Sequence, residues 1–301
     1  MDSKFKIIFL YALTCLIWGG TWLAIRICLV DMTPFFSAGI RFILAAVFIY
    51  LYMAIRKVPL PMDRTSIILY LVMSIFSFLL PFGLVYWGEK YVPSGLAAVL
   101  FAIYPFVAAI LSYFFLKDEK IGKFKIIGMI LSFAGIVVIF SDQFGGKLSD
   151  YFLGMIAITL SGVMQASIAV TIKKFGQKLD PLSMNLFPMG IGGVLMLIVG
   201  FLFEDYSKLS ITLNSGIAIV FLAFFGSIVT FTSYYWLLKR INIILLSLVS
   251  FITPIIALIL GWALSGEKLI TIHFIGSFCV LGGIFFAVFD NLTPNKAVKQ
   301  Q

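Results

Sequence analysis

Charge is what this chain has least of. Only 12% of its 301 residues are Asp, Glu, Lys or Arg and 62% are hydrophobic, whereas soluble domains carry roughly 25% charged residues. With a mean hydropathy of +1.11, a soluble globule is excluded. Histidine occurs once, as His273, and the thirteen acidic residues all fall in tails, loops or the outermost turn of an apolar segment. Within those segments there is no HExxH pair, no aspartate pair and no aspartate-rich metal site. Intramembrane proteolysis and prenyl transfer therefore lack their chemistry, and neither an enzyme, a cofactor nor a metal centre is expected. Cysteine is scarce too. Cys15, Cys28 and Cys279 lie in or beside apolar segments, which argues for packing residues and against a disulfide framework. No small-x-small cleavage site follows the opening MDSKFK and its apolar run, so the first segment reads as a retained span.

What the chain does have is apolar segments of membrane-spanning length, recurring along its whole course. Hydropathy and turn punctuation predict ten: about 7–29, 35–55, 66–88, 94–116, 124–141, 151–172, 181–203, 215–238, 243–264 and 271–289. Pro34, Pro93 and Pro181 each sit where a helix would begin, a position at which a missing N–H does no harm. The net charge of +9 needs no nucleic acid. With the N-terminus in the cytoplasm, sixteen of the 22 basic residues fall on the cytoplasmic side and five on the other, and Arg41 lies within a span. That division predicts an integral protein of the cytoplasmic (inner) membrane with both termini inside, the positive-inside pattern. The expected partners are the lipid bilayer and a small-molecule substrate. Oligomeric state leaves no mark in the sequence.

The two halves repeat each other. Tyr86-Trp87 aligns with Tyr235-Trp236, Lys90 with Lys239 and Pro105 with Pro254, all 149 residues apart, and Gly128 and Gly135 align with Gly276 and Gly283 at an offset of 148. Five spans per copy is an odd number, so the copies must lie upside down relative to one another. The charges agree: Lys123 and Lys125, expected inside, become Thr271 and His273 in the copy. The division expected is a first repeat over 1–141, a second over 151–289 and a cytoplasmic tail over 290–301. Duplicated membrane halves point to a transporter whose site lies where the halves meet.

The segments WGGTWLAIR (18–26), RFILAA (41–46) and GLAAVLFAIYPFVAAILSYFFLKDEKIG (95–122) resemble the EamA-type branch of the drug/metabolite transporter superfamily. The resemblance implies an all-α membrane protein of ten helices in two inverted five-helix repeats. It also implies a central cavity lined mainly by spans one, three, four, six, eight and nine. Characterised relatives export amino acids and other small metabolites, and other members of the superfamily take solutes up, so export of amino acids or related compounds is the leading expectation. An uptake permease or a drug exporter of the same fold is the alternative, and an intramembrane enzyme or a lipid flippase the non-transporter one.

Several residues are candidates for the cavity. Pro105 and Pro254 fall mid-span at equivalent places and free the carbonyls of Phe101 and Ser250; they mark either a site or hinge, or an ordinary kink. Tyr104 and Thr253 precede them and are polar enough to reach substrate. Trp18 and Thr21 on span one and Gln165 on span six belong to a stretch that borders the cavity in the family. An amide facing lipid is costly, so Gln165 should point inward. Tyr86 and Tyr235 either anchor span ends at the headgroup level or gate the two mouths. Arg41 stands about 10 Å into its helix. It could hold a substrate carboxylate bidentately, or be a structural arginine satisfied by a neighbour's carbonyls.

Overall fold

The computed structural model describes residues 3–92, 94–116, 122–139, 141, 148–265 and 270–292. The Gln143–Asp150 connection and the tail expected beyond 290 lie wholly or mostly outside them. Helices account for nearly all of this chain and no strand occurs among the described residues. In chain order they are α1 (Ser3–Asp31), α2 (Pro34–Arg56), α3 (Arg64–Met73), α4 (Leu80–Glu89), α5 (Ser94–Phe101), α6 (Tyr104–Phe115) and α7 (Lys123–Ile139). The second half supplies α8 (Leu148–Phe175), α9 (Ser183–Phe203), α10 (Leu213–Ala223), α11 (Thr230–Leu238), α12 (Ile243–Ser247), α13 (Val249–Ser265) and α14 (Thr271–Leu292). A π-helical turn joins α3 to α4 over Ser74–Leu79, and another joins α10 to α11 over Phe224–Val229.

Seven helices among the described residues are long and apolar enough to cross a membrane. The other three expected spans fall below that length over the described residues. The fourth is split into α5 and α6, the fifth is the 17-residue α7, and the tenth is the apolar part of α14, Thr271–Ala287. Length alone thus counts seven among the described residues. In the fourth span the reason is local: Pro105 enters α6 in its first turn, and Ala102 and Ile103 form the break before it.

The packing has a two-fold pattern. Helix α1 lies against α10, α11 and α13 of the second half, and its counterpart α8 lies against α4, α5 and α6 of the first. Two further pairs close the arrangement, α2 with α9 and α7 with α14. Both pairs run antiparallel. A methyl on Gly135 would sit 2.6 Å from the carbonyl oxygen of Gly276, while Gly128 meets Gly283 in the same way further along. Gly39 and Gly193 cross so closely that a methyl on either would lie 3.0 Å from the other's carbonyl oxygen. Small residues let membrane helices approach to backbone contact. Helices related by a two-fold axis are antiparallel only if the axis lies across them, so the repeats are inverted.

Polar groups near the helix ends tie the loops down. Asp63 caps α3 by accepting from the Ser66 amide, and these bonds hold its carboxyl below the usual range. Lys173 donates to the carbonyls of Leu238 and Ile241 at 2.6 and 2.7 Å. Lys239 donates to Gln177 at 3.0 Å, and partial burial pulls its ammonium pKa down. The apolar outer faces, rich in exposed Phe, Ile and Leu, are what a lipid-facing surface requires.

Candidate functional site

A cavity of about 110 Å³ lies at the seam of the two halves. An engineered cavity of roughly 150 Å³ accepts benzene and drug-sized sites run to several hundred Å³. In this state, then, the space is well below drug size, and a ring-bearing metabolite would have to widen it on binding. Its walls come from α1, α2, α4, α5 and α6 of the first half and α8, α11, α12 and α13 of the second, together with Ser77 of the first π-turn. Among the described lining residues there is one charged group, Arg41, and no carboxylate.

Six of the nine candidate cavity residues face this space: Trp18, Thr21, Tyr104, Gln165, Tyr235 and Thr253. Trp18 packs against Phe231 and Tyr234 with ring centroids 5.3 Å apart in both cases. The Thr21 hydroxyl donates back to the Trp18 carbonyl at 2.7 Å, one turn earlier. Gln165 donates through Nε2 to the Ser77 carbonyl at 3.2 Å. That carbonyl belongs to a π-turn, an element rare in helices and frequent at functional sites. Ser250, whose carbonyl Pro254 frees, and Thr253 line one wall of the cavity, and their hydroxyls bond back along the helix.

Three candidates lie elsewhere. Pro105 and Pro254 are not on the cavity wall. Pro105 sits just past the α5–α6 break, and Pro254 lies within α13, six residues after the interruption at Leu248. Both shape the wall through their neighbours. Tyr86 is fully buried behind the wall, and Tyr235 is almost as buried. Neither anchors at a lipid headgroup. One polar contact across the halves is made by the hydroxyls of Tyr104 and Tyr234. Tyr234, Phe231, Phe82 and Ser77 had no individual signal in the sequence.

Arg41 is 1% exposed and reaches the cavity from α2. Its Nε donates to the Ser227 hydroxyl at 2.9 Å, one terminal nitrogen to the Gly226 carbonyl at 3.0 Å and the other to the Tyr86 hydroxyl at 3.2 Å. Gly226 and Ser227 belong to the second π-turn, the counterpart of the turn that holds Gln165. Phe42 and Phe82 place their rings 5.0 and 5.2 Å from the guanidinium carbon. All three hydrogen-bond partners are neutral. The buried acid in this region is Glu89, at the end of α4; neither of its oxygens has a hydrogen-bond partner among the described residues.

Comparisons with known proteins bear on the family and the fold. The family described as EamA-like transporters matches residues 5–141 and again 152–289. The chain is 30% identical to Protein PagO of Salmonella typhimurium over 274 residues, 89% of this chain and 90% of that one. It is equally 30% identical to an uncharacterized inner membrane transporter, YedA, of Escherichia coli K12, over 91% of this chain and 86% of that one. An uncharacterized transporter of Bacillus subtilis, YoaV, matches at 25% over 91% of this chain and 94% of its own. A solved crystal structure superposes with a TM-score of 0.82 over 97% of this chain and 100% of that one, at 18% identity, a likeness of fold.

Proposed function

Since this chain belongs to the EamA-like transporter family, a family of multi-pass membrane proteins, we propose that it is a secondary transporter exporting small metabolites, amino acids and related compounds foremost, across the cytoplasmic membrane by alternating access. The observation that carries this reading is the position of the cavity. It lies on the seam between two inverted repeats and takes its walls from both, so that rocking one half against the other would expose it to each side in turn. The interruptions at Ala102–Ile103 and at Leu248 would be the compliant points, and the Tyr104–Tyr234 contact would make and break with the cycle. The deciding experiment is reconstitution of the purified protein in liposomes with flux measured for each amino acid in both directions. Absence of carrier-mediated flux for every small metabolite tried would sink the proposal.

Orientation follows from the basic residues. With both termini cytoplasmic, Ser210 faces outward and Met62 inward. In a cysteine-free background, an impermeant maleimide added to whole cells should label Ser210→Cys and spare Met62→Cys. The opposite pattern would reverse the assignment of sides.

Coupling can be tested at Glu89. No carboxylate lines the cavity among the described residues, so substrate should run down its own gradient with no proton gradient imposed. Glu89→Gln removes a buried carboxylate that accepts no hydrogen bond among the described residues and should transport at close to the wild-type rate, with no loss of thermal stability in detergent. Flux that stops on this change, or on collapsing a proton gradient while the substrate gradient is held, would overturn the uncoupled mechanism.

A further inference from the structure

The charge inventory of the cavity points to a substrate class. Arg41 is the single charged residue among its described walls, and it is held by a hydroxyl from the second π-turn, a carbonyl from the same turn and a tyrosine hydroxyl. A guanidinium has five N–H donors. Three are committed to these contacts, which leaves one on each terminal nitrogen. No hydrogen bond or ion pair joins Arg41 to a carboxylate among the described residues; Glu89, the buried acid nearby, lies off the cavity wall. A buried cation needs an anion or strong acceptors to offset its lost hydration, and here the acceptors are all neutral. The rest of the wall is uncharged: hydroxyls and the Gln165 amide stand among apolar and aromatic side chains, with Trp18, Trp22, Phe82, Phe101 and Phe231 contributing rings.

Building on the transporter reading above, we propose that the cavity selects amphipathic organic anions: a carboxylate docks on Arg41 and an apolar or aromatic body lies among the surrounding rings. The carboxylate accepts the two uncommitted N–H groups, and charge-assisted bonds of this kind are the strong ones. The cavity offers no matching partner for an ammonium group. A cation would meet only hydroxyls, an amide and ring faces, and Arg41 would repel it through a medium that screens charge poorly. An amino acid is therefore held by its carboxylate, and its amino group contributes no selectivity. A deaminated acid with the same side chain should bind at least as well.

The test uses four probes that share one ring and differ in charge: 3-phenylpropanoate (anion), 3-phenylpropanamide (neutral), phenylalanine (zwitterion) and 2-phenylethylamine (cation). Binding to the purified protein is read from the fluorescence of Trp18 and Trp22 at the cavity wall, and transport from counterflow in liposomes. The anion should bind about tenfold or more tightly than the amide and the amine, the worth of a hydrogen-bonded charge, with phenylalanine no tighter than the anion. Arg41→Gln should bring anion and amide to within a few-fold, while Arg41→Lys, which keeps the charge without the fork, should retain part of the preference. An amide or amine that binds as well as the anion, a preference that survives Arg41→Gln, or no binding by any of the four would overturn the assignment. If Arg41→Gln does not fold, the wild-type ratio of anion to amide decides alone. Binding of the anion without any flux would count against the transporter reading and leave this assignment standing; flux of other compounds with no preference for anions would do the reverse.

Discussion

Replacing Gly135 by valine should leave little or no folded protein to purify. Its Cα faces the backbone of α14 directly. A side chain there would begin 2.6 Å from the Gly276 carbonyl oxygen, 2.7 Å from the Val280 nitrogen and 2.9 Å from the Cys279 Cβ. Two of these three neighbours are backbone atoms of a helix, so no rotamer change relieves the clash and the helices themselves must part. Overpacking that only displaces side chains costs about 1–3 kcal/mol. Forcing backbones apart along this seam should exceed that, because the Gly128–Gly283 crossing and the Ser132 bond to the Val280 carbonyl at 3.1 Å would be lost with it. Two-fold symmetry makes the same prediction for Gly276, where an added Cβ would lie 2.5 Å from the Gly135 oxygen. Gly282 is the control. Nothing lies within 4 Å of the Cβ it would gain, and alanine in a helix is favoured over glycine by roughly 1 kcal/mol, so Gly282→Ala should match or exceed wild-type thermal stability. Size-exclusion profiles and melting curves in detergent measure both. A monodisperse Gly135→Val with an unchanged melting temperature would mean that α7 and α14 do not pack as described.

The repeat made the fold legible. Five-span copies of opposite charge sense imply inversion, and the antiparallel pairing of α7 with α14 has that origin. The glycines that permit it, Gly128, Gly135, Gly276 and Gly283, were visible as an internal match before their contacts were known. The π-turns were not legible. Ser74–Leu79 and Phe224–Val229 lie 150 residues apart and so occupy equivalent places, but their sequences, SIFSFL and FFGSIV, share only one serine at an equivalent position. A π-turn is stabilised by what its surplus carbonyls bond to, and that depends on helices distant in sequence.

The same reason explains what was hidden in the site. Trp18, Gln165 and Thr253 could be nominated because polar or bulky groups within apolar spans are conspicuous. Arg41 could be nominated but not resolved between two roles, since its partners arrive from α4 and the second π-turn. The structure shows it satisfied by a neighbouring helix's carbonyl and also standing at the cavity wall, so the two readings were never exclusive. Glu89 shows the limit of reading depth from sequence: it stands in the last turn of a span, yet it is 7% exposed, where α8 approaches closely through Gly88 and Gly154.

Gln165→Leu should cut transport about tenfold or more while leaving the protein folded. Leucine is close to glutamine in size and is a better apolar neighbour within a membrane helix, so insertion and packing of α8 should change little. What disappears is the Nε2 donor to the Ser77 carbonyl at 3.2 Å, in a turn whose carbonyls are not all satisfied by the regular helical ladder. Leaving a buried acceptor without its donor costs about 1–3 kcal/mol, and about 1.4 kcal/mol corresponds to tenfold. Because this acceptor lies at the seam between halves, its loss should weigh unequally on the inward- and outward-facing states and so appear in turnover rather than in stability. Ser77→Ala is the discriminating companion: it keeps the carbonyl that Gln165 uses and should be milder. Ser227→Ala, by contrast, removes the hydroxyl that accepts from Arg41 Nε and should be as severe as Gln165→Leu. Initial flux rates in liposomes at matched protein content, read beside melting temperatures, give the comparison. A Gln165→Leu protein that transports at the wild-type rate would remove this residue from the transport path, and equal effects of Ser77→Ala and Gln165→Leu would show that the turn matters only through its packing.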